Sequence, residues 1–206
     1  MTHPLDAQSY LNNLAKDLRP KPKALPKLVG IAGKAGTGKD TLADFLVYRH
    51  GYIKYAFADP IKNMVSSMLG LPTAYWLDRD WKEAELIGLG TSPRKLAQTL
   101  GTEWGRDVEK GIWLKLFTRE WETRYKNIPQ GVVISDIRFD NEAKLCRSLG
   151  GCVVNLTRPG AAAVATHSSE AGIRRNKRNV DIVNTGTIRE YQEAAEAALA
   201  SWSIRG

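Results

Sequence analysis

The sequence predicts an α/β fold, a parallel sheet covered by helices on both faces, and three observations carry that prediction. Short apolar runs at Leu28–Ala32, 131–135 and 152–156 are the mark of strands buried on both faces. Segments with helical period stand between them, and such alternation builds parallel sheets through crossover helices. A glycine-rich stretch, Gly33-Lys34-Ala35-Gly36-Thr37-Gly38-Lys39-Asp40-Thr41, joins the first run to the first helix.

Taken in order, residues 1–26 read as an accessory arm. Leu11, Leu14 and Leu18 fall at helical spacing, and Pro20, Pro22 and Pro26 then forbid a continuous helix. The arm is a candidate for packing on the domain, for self-association into a homodimer, or for partial disorder. Residues 27–206 form the main domain. After the glycine-rich loop, Leu42, Phe45 and Leu46 keep helical period as far as His50-Gly51. Residues 52–57 read as a strand, and Pro60 opens a short helix through Met68. Residues 71–91 read as an irregular, lid-like insertion carrying Trp76 and Trp81. Ser92-Pro93 supplies an N-cap and a first-turn proline for a helix with Arg94, Gln98 and Gly101 at i, i+4 and i+7. A longer helix aligns Ile112, Trp113, Leu116, Phe117 and Trp121. Strand 131–135 ends at Asp136-Ile137-Arg138, and residues 141–149 are helical. The last strand falls at 181–183, and Thr187-x-x-Glu190 is a capping box for the final helix.

The motif Gly33-x4-Gly38-Lys39, between a buried strand and a helix, carries the chemistry. Its glycines let successive backbone N–H groups point at phosphate oxygens, at the positive end of the helix. Lys39 reaches the β- and γ-phosphates, so the fold is of P-loop NTPase type. The hydroxyl residue that usually follows the lysine is here Asp40, with Thr41 next. Asp40 either holds Mg²⁺, directly or through water, or serves as a base toward an acceptor. Asp136 ends a strand where open α/β sheets bind ligands, and it either acts on Mg²⁺ or orients an acceptor, with Arg138 beside it. A pairing of these two with each other is the bland alternative. Arg94 suits a phosphate, Gln98 a base edge, and Trp113 can stack on a base. Of Arg158 and the cluster Arg174, Arg175, Lys177, Arg178, one or two suit charge neutralisation in phosphoryl transfer, and most of the cluster reads as a solvated basic face. Residues 159–178 form a second lid-like segment.

The net charge of +8 calls for an anionic partner, either nucleotide phosphates or nucleic acid. No stretch has the apolar length of a membrane helix, and residues 1–19 lack a signal-peptide core. The expected location is the cytoplasm, the host cytoplasm if the chain is phage-encoded. Cys146 and Cys152 lack metal-ligand or CxxC spacing and are expected to be reduced.

Taken together, several segments resemble the bacteriophage deoxynucleoside monophosphate kinases. They are Gly38-Lys39-Asp40-Thr41, Asp59-Pro60-Ile61-Lys62, Arg94 to Thr102, Trp113 to Phe117 and Asp136-Ile137-Arg138, then Arg158-Pro159-Gly160 and Thr166 to Gly172. They span about residues 27–190 in the family's order, and the aspartate after the lysine is itself a family feature. The resemblance implies Mg²⁺-dependent transfer of the γ-phosphoryl of ATP to a deoxynucleoside 5′-monophosphate. It puts the ATP phosphates on residues 33–41, with Asn184 near adenine. It puts the acceptor on Lys62, Arg94, Gln98, Thr102, Trp113, Asp136, Arg138 and Glu142. Lys39, Arg158, Asp136 and Arg138 become the catalytic set, and Asp40 the metal ligand. A phosphomevalonate-kinase-like enzyme is the nearest rival, supported by Gly38-Lys39-Asp40 and His167-x-Ser169-Glu170. A nucleic-acid-binding NTPase, suggested by charge, is disfavoured because no helix-turn-helix or RNP-type motif is present.

Overall fold

Side chains of strand β1 (Leu28–Ala32) alternate between two apolar cores, because successive strand residues point to opposite sides. Val29 and Ile31 join one core and Leu28 and Ala32 the other. The computed structural model describes residues 24–161, 173, 174 and 176–205. The arm up to residue 23 lies outside these, as do 162–172 and Arg175, which include most of the second expected lid. β2 (Ile53–Tyr55), β3 (Val132–Ile137), β4 (Cys152–Thr157) and β5 (Val180–Val183) complete a sheet of order β2-β3-β1-β4-β5. Every pairing in it is parallel.

Helices cover both faces, as expected. α1 (Lys39–His50) and the last helix, α8 (Ile188–Arg205), pack Leu42, Leu46, Tyr191 and Leu199 on the Val29 side. On the opposite side lie Ile61 of α2 (Asp59–Leu69), Trp113 and Phe117 of α6 (Ile112–Glu120), and Cys146 of α7 (Asp140–Ser148). Each fully buried aliphatic or aromatic side chain contributes ~1.5–3 kcal/mol, so the two cores are the principal stabilising term. Cys146 and Cys152 are buried and unbridged.

Four local features depart from the periodicity. The strand expected at 52–57 is only Ile53–Tyr55, because the Phe57 and Ala58 N–H groups turn toward Asp136 instead of a neighbouring strand. The helix opened by Ser92 keeps α geometry only through α4 (Pro93–Thr99). It widens into a π turn at Leu100–Trp104 and resumes as the one-turn α5 (Gly105–Val108). The π turn breaks the expected i, i+4, i+7 face, so Gly101 is buried against Ile61 while Arg94 and Gln98 stay half-exposed. α6 likewise passes into a π turn at Trp121–Tyr125. The insertion at 71–91 is more regular than expected, with a 3₁₀ turn at Thr73–Trp76 and a short helix α3 (Arg79–Glu83). Asp78 caps α3 by accepting from the Asp80 and Trp81 N–H groups.

Parallel strands point all their carboxyl ends at one edge. The glycine-rich loop follows β1 there, Ala56–Ala58 follow β2, Asp136 sits near the end of β3, Arg158 follows β4 and Asn184 follows β5. A crevice at this edge is where open α/β sheets hold ligands.

Candidate active site

The glycine-rich loop is held by its own residues and by the far side of the sheet. Lys39 Nζ donates to the Gly33 carbonyl at 2.7 Å and the Lys34 carbonyl at 2.8 Å, and Thr37 Oγ1 donates to Lys34 O at 2.8 Å. Gly38 has φ 98°, and a Cβ there would sit 2.6 Å from Asn184 Nδ2, so only glycine fits. Asn184 donates to the Thr37 carbonyl at 2.8 Å, and the Tyr191 hydroxyl donates to the Gly38 carbonyl at 3.1 Å. Asn184 thus lies beside the glycine-rich loop, and its amide braces the loop's backbone. Burial pushes the Tyr191 hydroxyl's pKa up, which keeps it a donor.

Asp40 stands in the first turn of α1, where a carboxylate is favoured by the helix dipole. With Asp44 one turn later it flanks Lys54, whose Nζ lies 3.2 Å from Asp40 and 2.9 Å from Asp44. Burial disfavours the charged Lys54, but the two aspartates outweigh it and hold its pKa above the ordinary value. Among the described residues no group of three or more His, Cys, Asp or Glu could hold a metal. Mg²⁺ does not need one, since it takes one or two protein oxygens and completes its shell with phosphates and water. Asp40, its side chain 82% exposed, and the Thr41 hydroxyl fit that pattern. Asp136 does not.

Each Asp136 oxygen accepts one backbone N–H. Oδ1 accepts from the Phe57 N–H at 2.8 Å and Oδ2 from the Ala58 N–H at 2.9 Å. The β1–β3 register slips between Gly30/Ile134 and Ala32/Ile137, which puts one extra residue into β3 beside Asp136. Such a bulge re-aims side chains next to functional sites. Burial raises the Asp136 pKa against the pull of Arg138 and the two N–H groups. The role supported here is positional: Asp136 pins the loop that starts α2.

α2 presents Lys62, 3.3 Å from Asp59, and α4 presents Arg94, whose Nε lies 2.5 Å from Glu83 Oε1. Gln98 shares Arg94's helix, and its carbonyl accepts the Thr102 hydroxyl at 2.6 Å, so Thr102 is turned onto its own backbone. Trp113 is 4% exposed, with Nε1 donating to the Gly101 carbonyl at 2.8 Å. Its ring supports the π turn from beneath, packed against Gly105. Glu142, 2% exposed, is also structural. It accepts from Arg106 Nη2 at 2.7 Å and from the Arg138 and Phe139 N–H groups. Burial raises its pKa despite these donors. Arg158 is exposed just past β4. In the basic cluster, Arg174 pairs with Asp140 at 3.2 Å.

Comparison with known sequences bears directly on this arrangement. A family model described as deoxynucleotide monophosphate kinase matches residues 27–75 and 83–194. The chain belongs to the deoxynucleotide monophosphate kinase family. An Acanthamoeba polyphaga mimivirus protein named for the same activity is 35% identical over 176 residues, covering 80% of this chain and 91% of its own. The deoxynucleotide monophosphate kinase of Enterobacteria phage T4 is 24% identical, covering 80% and 95% of the two chains. The deoxynucleoside-5′-monophosphate kinase of Escherichia phage T5 is 26% identical, covering 76% and 89%.

This member of the deoxynucleotide monophosphate kinase family also uses residues that periodicity did not single out. Arg106 stacks 3.7 Å over the Phe139 ring while binding Glu142, and so ties α5 to the turn after β3. Lys54 and Glu83 also contact expected site elements, Asp40 and Arg94. The capping box at Thr187 could have pointed to Tyr191, the first buried residue of the helix it opens.

Proposed function

We propose that the protein transfers the γ-phosphoryl group of ATP, in the presence of Mg²⁺, to a deoxynucleoside 5′-monophosphate, releasing ADP and a deoxynucleoside diphosphate. The observation that carries this reading is the meeting of two basic surfaces at one sheet edge. Lys39 lies on the β1 loop, and Lys62 and Arg94 lie on α2 and α4, with Asp136 fastening the second surface to β3. Family membership favours the same substrate class.

In this reading residues 33–41 hold the donor's phosphates through backbone N–H groups, and Lys39 moves from its loop carbonyls to the β/γ oxygens. Lys62 and Arg94 hold the acceptor's phosphate in line with the γ-phosphorus. An acceptor oxygen bonds to that phosphorus, and the bond to the β–γ bridging oxygen breaks with ADP as leaving group. The monophosphate is already ionised at neutral pH, so no general base is needed. Asp40 and Thr41 would hold Mg²⁺ with the nucleotide's own phosphates. When bound, the ion neutralises charge on the transferring group. Arg158 approaches that group from the β4 side, and residues 71–91 cover the acceptor and exclude water. Residues 27–206 constitute the kinase unit.

The test is a coupled ADP-release assay with Mg·ATP and dGMP, dTMP, dAMP or dCMP, their ribose counterparts, or phosphomevalonate. Duplex DNA is a separate addition. Rapid release with a deoxynucleotide, and diphosphate product by chromatography, is the expected result. Release that needs no acceptor and rises with DNA would refute it.

A further inference from the structure

Lys82 lies on α3, in the stretch between the two segments that the family model matches, so family membership assigns it nothing. Its surroundings are nevertheless those of an anion ligand. α3 is fixed at its start by the Asp78 cap. The 3₁₀ turn before it is anchored to α2 by a 2.8 Å bond from Trp76 Nε1 to Ser66 Oγ. The half-buried Lys82 ammonium donates to the Trp76 carbonyl at 3.3 Å, a neutral partner. Arg94 and Lys62 both lie within electrostatic range, as do the carboxylates of Glu83 and Asp40. Those carboxylates, however, are engaged by Arg94 at 2.5 Å and by Lys54 at 3.2 Å. Burial, then the Arg94 and Lys62 charges, depress the Lys82 pKa. Lys62 of α2 and Arg94 of α4 thus lie within electrostatic range of Lys82 on α3, whose hydrogen-bond partner among the described residues is a carbonyl.

We propose that Lys82 is a direct ligand of the acceptor's 5′-phosphate, completing with Lys62 and Arg94 a three-sided cationic clamp. The inference rests on the acceptor site assigned above and deepens it. A doubly charged phosphate relieves the repulsion among the three cations while gaining a charge-assisted hydrogen bond from each. An ammonium on a flexible stem acts as a point charge toward any phosphate oxygen, whereas Arg94 supplies the planar fork. Asp40, at the start of α1, lies within electrostatic range of Lys82, which sets the clamp toward the glycine-rich loop.

The experiment compares equilibrium binding of each deoxynucleoside monophosphate with that of the corresponding deoxynucleoside. Full-length wild type, Lys82→Gln, Lys82→Met and Lys82→Arg are measured by calorimetry, with ATP binding and thermal unfolding alongside. The affinity advantage conferred by the phosphate is expected to fall about 10- to 100-fold in Lys82→Gln and Lys82→Met. Lys82→Arg restores much of it, while ATP affinity stays within about twofold of wild type. In turnover assays the acceptor KM rises with kcat nearly unchanged. A phosphate advantage retained in both neutral variants overturns the inference about Lys82 alone. A parallel loss of ATP affinity overturns it by placing the lysine on the donor. A wild-type protein with no phosphate advantage for any monophosphate overturns the acceptor site itself, and this inference with it.

Discussion

Replacing Asp136 by alanine separates a positional carboxylate from a metal-directed one. The side chain accepts two backbone N–H bonds, at 2.8 and 2.9 Å, from consecutive residues of the loop that starts α2. Alanine leaves both donors without that acceptor in a half-buried region, at up to ~1–3 kcal/mol each. Removing a buried carboxylate, whose raised pKa records its desolvation, recovers part of this. The expected net loss is ~2–4 kcal/mol, and for a domain of this size each kcal/mol lowers Tm by ~2–4 °C. Near-UV circular dichroism during heating should therefore show Tm reduced by about 4–16 °C. Because the loop carries Lys62 into place, the acceptor KM should rise in the same variant while the ATP KM changes little. Asp136→Asn keeps one acceptor and should fall between wild type and alanine in acceptor KM. A Tm within about 1 °C of wild type, with kcat lost and both KM values unchanged, would refute the reasoning. It would return Asp136 to a chemical role.

Three further outcomes follow from the site. Lys39→Ala should abolish turnover while lowering stability by no more than ~2 kcal/mol, since it removes two hydrogen bonds to loop carbonyls; retained turnover would remove the loop from the donor site. Arg94→Ala should raise the acceptor KM by about 10- to 100-fold and leave the ATP KM within about twofold, read by varying each substrate at saturating levels of the other. Gly38→Ala forces a side chain into φ 98° and against Asn184 Nδ2 at 2.6 Å. Strain of ~1–2 kcal/mol plus a displaced Asn184 bond of ~1 kcal/mol should appear as a lower urea midpoint and weaker ATP binding.

The elements legible in the sequence were those written by local rules. The buried runs gave β1, β3 and β4, Ser92-Pro93 gave the start of α4, and Thr187 with Glu190 gave the start of α8. Each depends on residues within four positions of one another. The features that escaped depend on partners far away in the chain. The bulge beside Asp136 exists because β3 must match β1 across a hundred residues, and strand composition does not encode that register. Glu142 sits at an expected position, but its burial depends on Arg106, thirty-six residues earlier. Trp113 was identifiable as chemically versatile, yet its indole belongs to the Gly101 carbonyl because of the π turn, which helical periodicity hides. The acceptor side is harder to read than the donor side for the same reason. The glycine-rich loop is one continuous peptide, whereas Lys62, Lys82 and Arg94, the cations proposed for the acceptor, lie on three helices.

The charge pattern itself bears on which anionic partner the protein meets. A surface for nucleic acid needs cations arrayed along a stripe and open to a polyanion. Here three basic residues near the sheet edge have a carboxylate close by: Lys54 with Asp40 and Asp44, Lys62 with Asp59, and Arg94 with Glu83. Pairs this exposed contribute only ~0–1 kcal/mol, so a phosphate can exchange into them at little cost. The exchange is local, because each carboxylate is displaced only where a phosphate group reaches its cation. A compact ligand with its charge in one phosphate gains from that arrangement. A long polyanion does not, since its neighbouring phosphates would meet Glu83, Asp59 and Asp44 on the same rim. The net charge of +8 is thus compatible with selective use of mononucleotides, with acidic residues at the site supplying the discrimination.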